Sequence, residues 1–327
     1  MRKPRIAING FGRIGRTVFK ELVRRDCAEV VVIRDIADAQ TLWHLLKYDS
    51  TQGMWIKGVF ENNSIQTPNG HAALIQSEEI PQWSQWGVDV VLECTGTMKT
   101  KNELLVHIQN GAQKVILSSP SQDDLLHWIV GVNDHNVSKE DSFFSCASCT
   151  TNNVAPIIYT IDQALGVESC YISTVHSYTS DQRLHDAPHK DLRRARSAPN
   201  SIVPTTTGAA KALTKVFPQL SNQIGGCGMR VPVANGSLSD ITFIVQKSTS
   251  VSEVIALFEQ FEKKHPTILS LCYDPLVSKD ILGDTHSCIL DVELTSVIGK
   301  MVKVVGWYDN EMGYSNRLID AICYLYS

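Results

Sequence analysis

The chain lacks any apolar run long enough to span a bilayer as a helix, so a helical membrane protein is not expected. It also lacks low-complexity tracts and internal repeats, which argues against long disordered tails or a solenoid. There is no excess of positive charge: 30 Lys and Arg against 34 Asp and Glu leave a formal net charge of −4, so nothing draws the whole molecule to nucleic acid or anionic lipid. The one dense basic cluster runs from Lys190 to Arg196. Zinc-ligand spacing is missing as well. Cys146-Ala147-Ser148-Cys149 spells C-x-x-C, but no second pair follows to close a tetrahedron, and no metal site is expected. The nine cysteines are odd in number and irregularly spaced, the pattern of free thiols in a reducing compartment. With an N-terminus that runs from Met1-Arg2-Lys3-Pro4 straight into a short apolar strand, this predicts a cytoplasmic protein.

What is present is a chain of 327 residues with 43% hydrophobic and 20% charged content, enough for about two globular domains. The first half carries a dinucleotide-binding pattern. Arg5-Ile6-Ala7-Ile8-Asn9 reads as a strand that runs directly into Gly10-Phe11-Gly12-Arg13-Ile14-Gly15, and a helical pattern follows through Val18, Leu22 and Val23. A second apolar strand, Val30 to Ile33, ends at Asp35, twenty residues beyond Gly15. Gly10 permits a tight turn, Gly12 lets the backbone approach a pyrophosphate, Gly15 lets the helix pack against the strand, and the helix start binds phosphate. Asp35 can accept hydrogen bonds from a ribose and would repel a 2′-phosphate, which favours NAD. The preceding Arg34 reads most simply as a solvated side chain, the alternative being a partner for a 2′-phosphate. Further strands at 88–94 and 115–118, with a helix between them at 102–108, predict a Rossmann-type, doubly wound parallel sheet. Thr95-Gly96 and Ser118 then fall at carboxyl ends of strands, where a dinucleotide lies.

The second half carries the reactive groups. Val154, Ile157, Ile158, Ile161 and Leu165 recur at helical spacing and Gly166 follows as a stop, so Cys149 stands at a helix start. Unpaired N–H groups and partial positive charge there favour the thiolate and predict a lowered pKa. His176 ends the strand Cys170 to Val175 and is a candidate base for that thiol. Thr179, Asp181, Arg194, Arg230 and the run Thr205-Thr206-Thr207-Gly208 at a helix start are candidates for binding anions, which makes a phosphorylated substrate plausible. Cys146 suggests a disulfide with Cys149, provided their Cα atoms come within roughly 7 Å.

Taken together, Ala7 to Arg16, Ala147 to Asn152, Asp181 to Leu184, Pro188 to Arg196, Thr207 to Lys211 and Trp307 to Glu311 resemble phosphorylating glyceraldehyde-3-phosphate dehydrogenase over essentially the whole chain. The resemblance implies an NAD-dependent enzyme that converts glyceraldehyde 3-phosphate and inorganic phosphate to 1,3-bisphosphoglycerate through a thioester on Cys149, with His176 as base. It implies that Thr179, Asp181 and Arg230 hold the substrate phosphate, that Ser148, Thr150, Thr207 and Gly208 hold the attacking phosphate with help from Arg194, and that Asn310, with Tyr314 nearby, orients the nicotinamide. It implies residues 1–148 and 311–327 as the NAD-binding domain, 149–310 as an α+β catalytic domain, and a homotetramer built through an S-shaped loop at 178–201, in which Pro188 fits the NAD-preferring pattern. Two alternatives stand beside it: an erythrose-4-phosphate dehydrogenase, and a catalytically weak relative that binds nucleic acid, against which the complete set of reactive residues weighs.

Overall fold

The computed structural model describes residues 2–327, which divide into two compact units: residues up to Ala147 together with Ser315–Ser327, and Ser148–Tyr314. No helix among the described residues is long and apolar enough to cross a membrane.

In the first unit the chain runs β1 (Arg5–Asn9), α1 (Arg13–Arg25), β2 (Glu29–Asp35), α2 (Ala39–Lys47), the short pair β3 (Tyr48–Asp49) and β4 (Gly53–Met54), β5 (Val59–Glu61), β6 (Ser64–Thr67), β7 (Gly70–Gln76), β8 (Val90–Glu93), α3 (Lys101–Gln109), β9 (Lys114–Leu117) and β10 (Phe143–Ser145). The sheet order is β10-β9-β8-β1-β2-β7-β6-β5. Its six strands from β10 to β7 are all parallel, as continuous β-branched and apolar runs require when both faces are covered. The expected parallel sheet therefore gains an antiparallel edge, β6 and β5, whose short strands alternate too weakly in sequence to announce themselves. The chain winds outward from β1 in both directions, which places a topological switch point between β1 and β8. Beneath the sheet, Ala7, Val31, Val32, Trp83, Val88 and Val91 share one buried cluster.

The second unit opens with α4 (Cys149–Leu165), followed by β11 (Val167–Ser177), β12 (Val203–Thr205), α5 (Ala209–Val216), β13 (Ile224–Val231), β14 (Ser237–Val245), α6 (Val251–Lys264), β15 (Leu269–Cys272), β16 (Cys288–Ile298) and β17 (Met301–Tyr308); α7 (Met312–Tyr326) begins here and ends in the first unit. Its sheet, β12-β13-β11-β14-β17-β16-β15, is mixed, with β11 parallel to β13 and antiparallel to β14. The wholly buried Val154, Ile157, Ile158 and Ile161 give α4 its inward face. Between β11 and β12 the chain from Tyr178 to Ile202 has no regular strand or α-helix, consistent with its polar, basic composition.

Candidate active site

In the first unit the fingerprint glycines do what their positions require. Gly10 has φ +94°, a left-handed conformation, and a Cβ there would stand 2.7 Å from the Thr95 backbone nitrogen; a Cβ on Gly15 would meet the Gly10 carbonyl oxygen at 2.2 Å. The chain thus reverses tightly at the switch point and α1 lies hard against it. Gly12 is the N-cap of α1; no side chain caps this helix, and space for a Cβ at Gly12 is open. The start of α1 thus carries no capping side chain over its amide end, and the cradle fits a dinucleotide pyrophosphate. Phe11 is buried, and its N–H donates to Asp35 Oδ2 at 2.6 Å while Ala37 N donates to Oδ1 at 3.0 Å, which fixes the Asp35 carboxylate at the end of β2. Arg13 pairs with Asp49 at 2.7 Å. Thr95 hydrogen-bonds the Glu93 carboxylate, Gly96 has φ +72°, and Ser118 follows the end of β9.

Arg34 overturns both readings of it. The side chain is only 7% exposed, and its guanidinium turns inward to donate to Asn9 Oδ1 at 3.3 Å and to the Glu78 carbonyl. A planar fork at a strand end is well suited to buried acceptors in this way, and so engaged it is neither solvated nor presented to a 2′-phosphate.

In the second unit Ser148 is the N-cap of α4, accepting from Thr151 N at 3.2 Å, and Cys149 is the first helical residue. Ala147 before it has φ +53°. Cys149 Sγ lies 3.5 Å from His176 Nε2. The other ring nitrogen, Nδ1, is 2.7 Å from the Ser177 carbonyl, and Arg230 Nη1 reaches both groups, at 3.0 Å from that carbonyl and 2.9 Å from Nδ1. Register explains the meeting: β11 and β13 run parallel with His176 directly beside Arg230. Thr179 Oγ1 is 3.5 Å from the same guanidinium nitrogen. Thr150 Oγ1 hydrogen-bonds Tyr308 Oη at 2.9 Å, tying the first turn of α4 to the end of β17.

Electrostatics revise the thiolate expectation. Burial pushes the Cys149 thiol above its ordinary value, and the Arg230 charge and the Thr150 N–H pull back only in part. Burial, then the Arg230 charge, lowers His176 to about 3. The amides at the start of α4 lower the thiol but are outweighed by desolvation, so the resting pair is a thiol facing a neutral imidazole. With Nδ1–H donating to Ser177 O, the Nε2 lone pair faces sulfur and can take its proton.

A second cationic group lies nearby along β12 and β13. Arg194 is ion-paired with Asp181 and donates to Thr205 Oγ1 at 2.8 and 3.1 Å; Thr205 itself sits opposite Gly228 in the β12–β13 ladder. Thr207 Oγ1 accepts from Ala209 N at 3.1 Å, and Gly208 is the N-cap of α5. The anion candidates therefore fall into two groups, Arg230 with Thr179 beside His176, and Arg194 with Asp181 and Thr205. Asp181, ion-paired with Arg194, also lies within electrostatic reach of Arg230.

Asn310 is 8% exposed and held by three donors on its amide oxygen: Ser177 Oγ and Ser237 Oγ, both at 3.0 Å, and Gly236 N at 3.3 Å. A backbone N–H can only donate, so the acceptor is the oxygen and the NH2 end is left for a ligand. Tyr314 is buried in the first turn of α7. Sequence reasoning missed Ser177, Ser237 and Tyr308. Only the position of Ser177, next to His176 at a strand end, gave a signal.

Residues 4–101 match the family model described as glyceraldehyde 3-phosphate dehydrogenase, NAD binding domain, and residues 148–310 match that of the C-terminal domain. Among curated proteins the chain is 44% identical to the glyceraldehyde-3-phosphate dehydrogenase of Geobacillus stearothermophilus, covering 99% of this chain and 98% of the relative. The enzymes of the same name from Thermotoga maritima, 44% identical, and Borreliella burgdorferi, 43% identical, each match over 97% of this chain and 98% of their own.

Proposed function

The chain belongs to the glyceraldehyde 3-phosphate dehydrogenase family, and from that premise we propose that it oxidises glyceraldehyde 3-phosphate with NAD and releases an acyl phosphate formed with inorganic phosphate. The observation that carries the reading is the thiol of Cys149 at the head of α4, 3.5 Å from a buried, neutral His176 whose far nitrogen is oriented by Ser177 O.

The thiol sulfur attacks the aldehyde carbon while His176 Nε2 takes its proton and delivers it to the aldehyde oxygen, giving a hemithioacetal. His176 then accepts the hydroxyl proton as the carbon–hydrogen bond breaks, leaving a thioester on Cys149. Bound NAD supplies the acceptor for that hydride. An inorganic phosphate oxygen attacks the thioester carbon, the carbon–sulfur bond breaks, and the departing thiolate recovers a proton from His176. Arg230 and Thr179 hold one phosphate and Arg194, Thr207 and Gly208, with Ser148 and Thr150, the other, as charge-assisted bonding at a helix start favours. Asn310 fixes the nicotinamide carboxamide through its NH2, and Gly10 to Gly15, Asp35, Thr95, Gly96 and Ser118 bind the rest of the dinucleotide. A homotetramer joined through residues 178–201 in the cytoplasm completes the reading.

Purified protein given NAD, phosphate and glyceraldehyde 3-phosphate should form NADH, and Cys149→Ser should abolish it. Absence of NADH, or a clear preference for erythrose 4-phosphate in a parallel assay, would overturn the assignment. Sedimentation should give four subunits.

A further inference from the structure

Two cysteines that play no part in this chemistry meet at the edge of the first unit. Cys27 follows Asp26, the left-handed C-cap of α1, and Cys323 lies in the last turns of α7, yet the two side chains are near enough to act on one another, with Arg25, two residues before Cys27, reaching Cys323. Both are half-buried, so a small solute reaches them. Arg25 organises the cluster: its guanidinium pairs with Asp320 at 2.7 Å, donates to Asn316 Oδ1 at 3.2 Å, and places Nη2 4.0 Å from Cys323 Sγ. The chain end is therefore already clasped to α1 through one arginine.

We propose that Cys27 and Cys323 form a reversible disulfide driven by hydroperoxides, a modification site that staples α7 to the end of α1. The Cys27 thiolate attacks the peroxide O–O bond, giving a sulfenic acid on Cys27 and releasing hydroxide or an alcohol. Cys323 sulfur then attacks Cys27 sulfur, the S–O bond breaks, and water leaves as the disulfide closes. Two thiols are oxidised and one peroxide is reduced, and a cellular dithiol reverses the step by exchange.

The surroundings separate Cys27 from the buried thiols and leave Cys323, which is pushed up, as the proton-bearing partner. The neighbouring Cys323, aided by the Arg25 charge, brings Cys27 below its ordinary value, whereas burial pushes Cys94, Cys146 and Cys170 up to about 12. Cys146, the residue that sequence reasoning paired with Cys149, is 1% exposed and is a poor redox partner on those grounds.

The full-length protein should be treated with hydrogen peroxide, alkylated, digested without reductant and read by mass spectrometry. A peptide linking Cys27 to Cys323 is expected, lost on reduction, and it should form equally in Cys149→Ser protein. In Cys323→Ser protein Cys27 should stop as a dimedone-trappable sulfenic acid and pass on to the sulfinic acid, while in Cys27→Ser protein Cys323 should stay a thiol. Wild-type protein in which Cys27 accumulates as sulfinic acid without the linked peptide, or in which both stay thiols at doses that oxidise Cys149, would overturn the proposal.

Discussion

Which nitrogen of His176 holds its proton decides what the residue can do. Nδ1 has two neighbours of opposite demand: the Ser177 carbonyl at 2.7 Å, which needs a donor, and Arg230 Nη1 at 2.9 Å, which is always one. Only the Nδ1–H form leaves a lone pair on Nε2 for the Cys149 proton. An anion that engages Arg230 relieves its contact with Nδ1 and favours that form. Arg230→Ala should then raise the KM for the phosphorylated aldehyde, and it should also move the pH midpoint of Cys149 alkylation upward, because the cation that opposes burial is gone. An unchanged alkylation profile would detach Arg230 from the thiol. Arg34 illustrates what sequence could not show at this scale. Its neighbours in the chain place it at a strand end beside Asp35, but its acceptors, Asn9 and the Glu78 carbonyl, are distant in sequence. Arg34→Ala should cost about 1–3 kcal/mol of stability in denaturant melts, since the buried Asn9 oxygen and the Glu78 carbonyl both lose their donor, without shifting the NAD to NADP preference. A large shift in preference would restore the 2′-phosphate reading.

Among the elements, legibility followed the range of the forces involved. The β1–α1–β2 unit was readable because glycine positions, apolar periodicity and a terminal acid are local demands, and the start of α4 was readable because Ser148 and the small polar residues beside it are local capping chemistry. What was not readable came from strand register. The pairing of β11 with β13 brings Arg230 beside His176, and the loop between β13 and β14, with the end of β17, brings Gly236 and Ser237 onto Asn310. The half-burial of Cys149 is of the same kind, since neighbours from β11 and β13 crowd the thiol and reverse the expected direction of its pKa. The element that links these functions is the end of β11. Ser177 gives its carbonyl to His176 and its hydroxyl to Asn310. Ser177→Ala keeps the carbonyl and deletes the hydroxyl, so it should raise the KM for NAD several-fold, on the order of 1 kcal/mol, with a much smaller effect on single-turnover acylation. Equal losses in both would mean that the substitution disturbs the strand rather than the amide.

At the scale of the whole molecule, the two units carry different acid sensitivities. His176 in the second unit is lowered to about 3 from 6.5. Between those values the unfolded chain binds a proton that the native state refuses, so stability is lost as pH falls from about 6.5, by up to about 1.4 kcal/mol per pH unit for one proton. In the first unit the most strongly depressed carboxylate is that of Asp49. Burial alone would raise Asp49, but the Gln52 and Thr51 amides and Arg13 hold it below its ordinary 3.8. Its contribution is complete above that value and is lost only as pH falls below it. The second unit should therefore weaken first on acidification. Calorimetry from pH 7 to pH 4.5 should show the transition assigned to the second unit moving down while that of the first stays nearly fixed, and His176→Asn should flatten the pH dependence of the moving one. Two transitions that descend together, or a slope that survives His176→Asn, would show that the acid response belongs to other groups and that His176 is not held neutral by its burial.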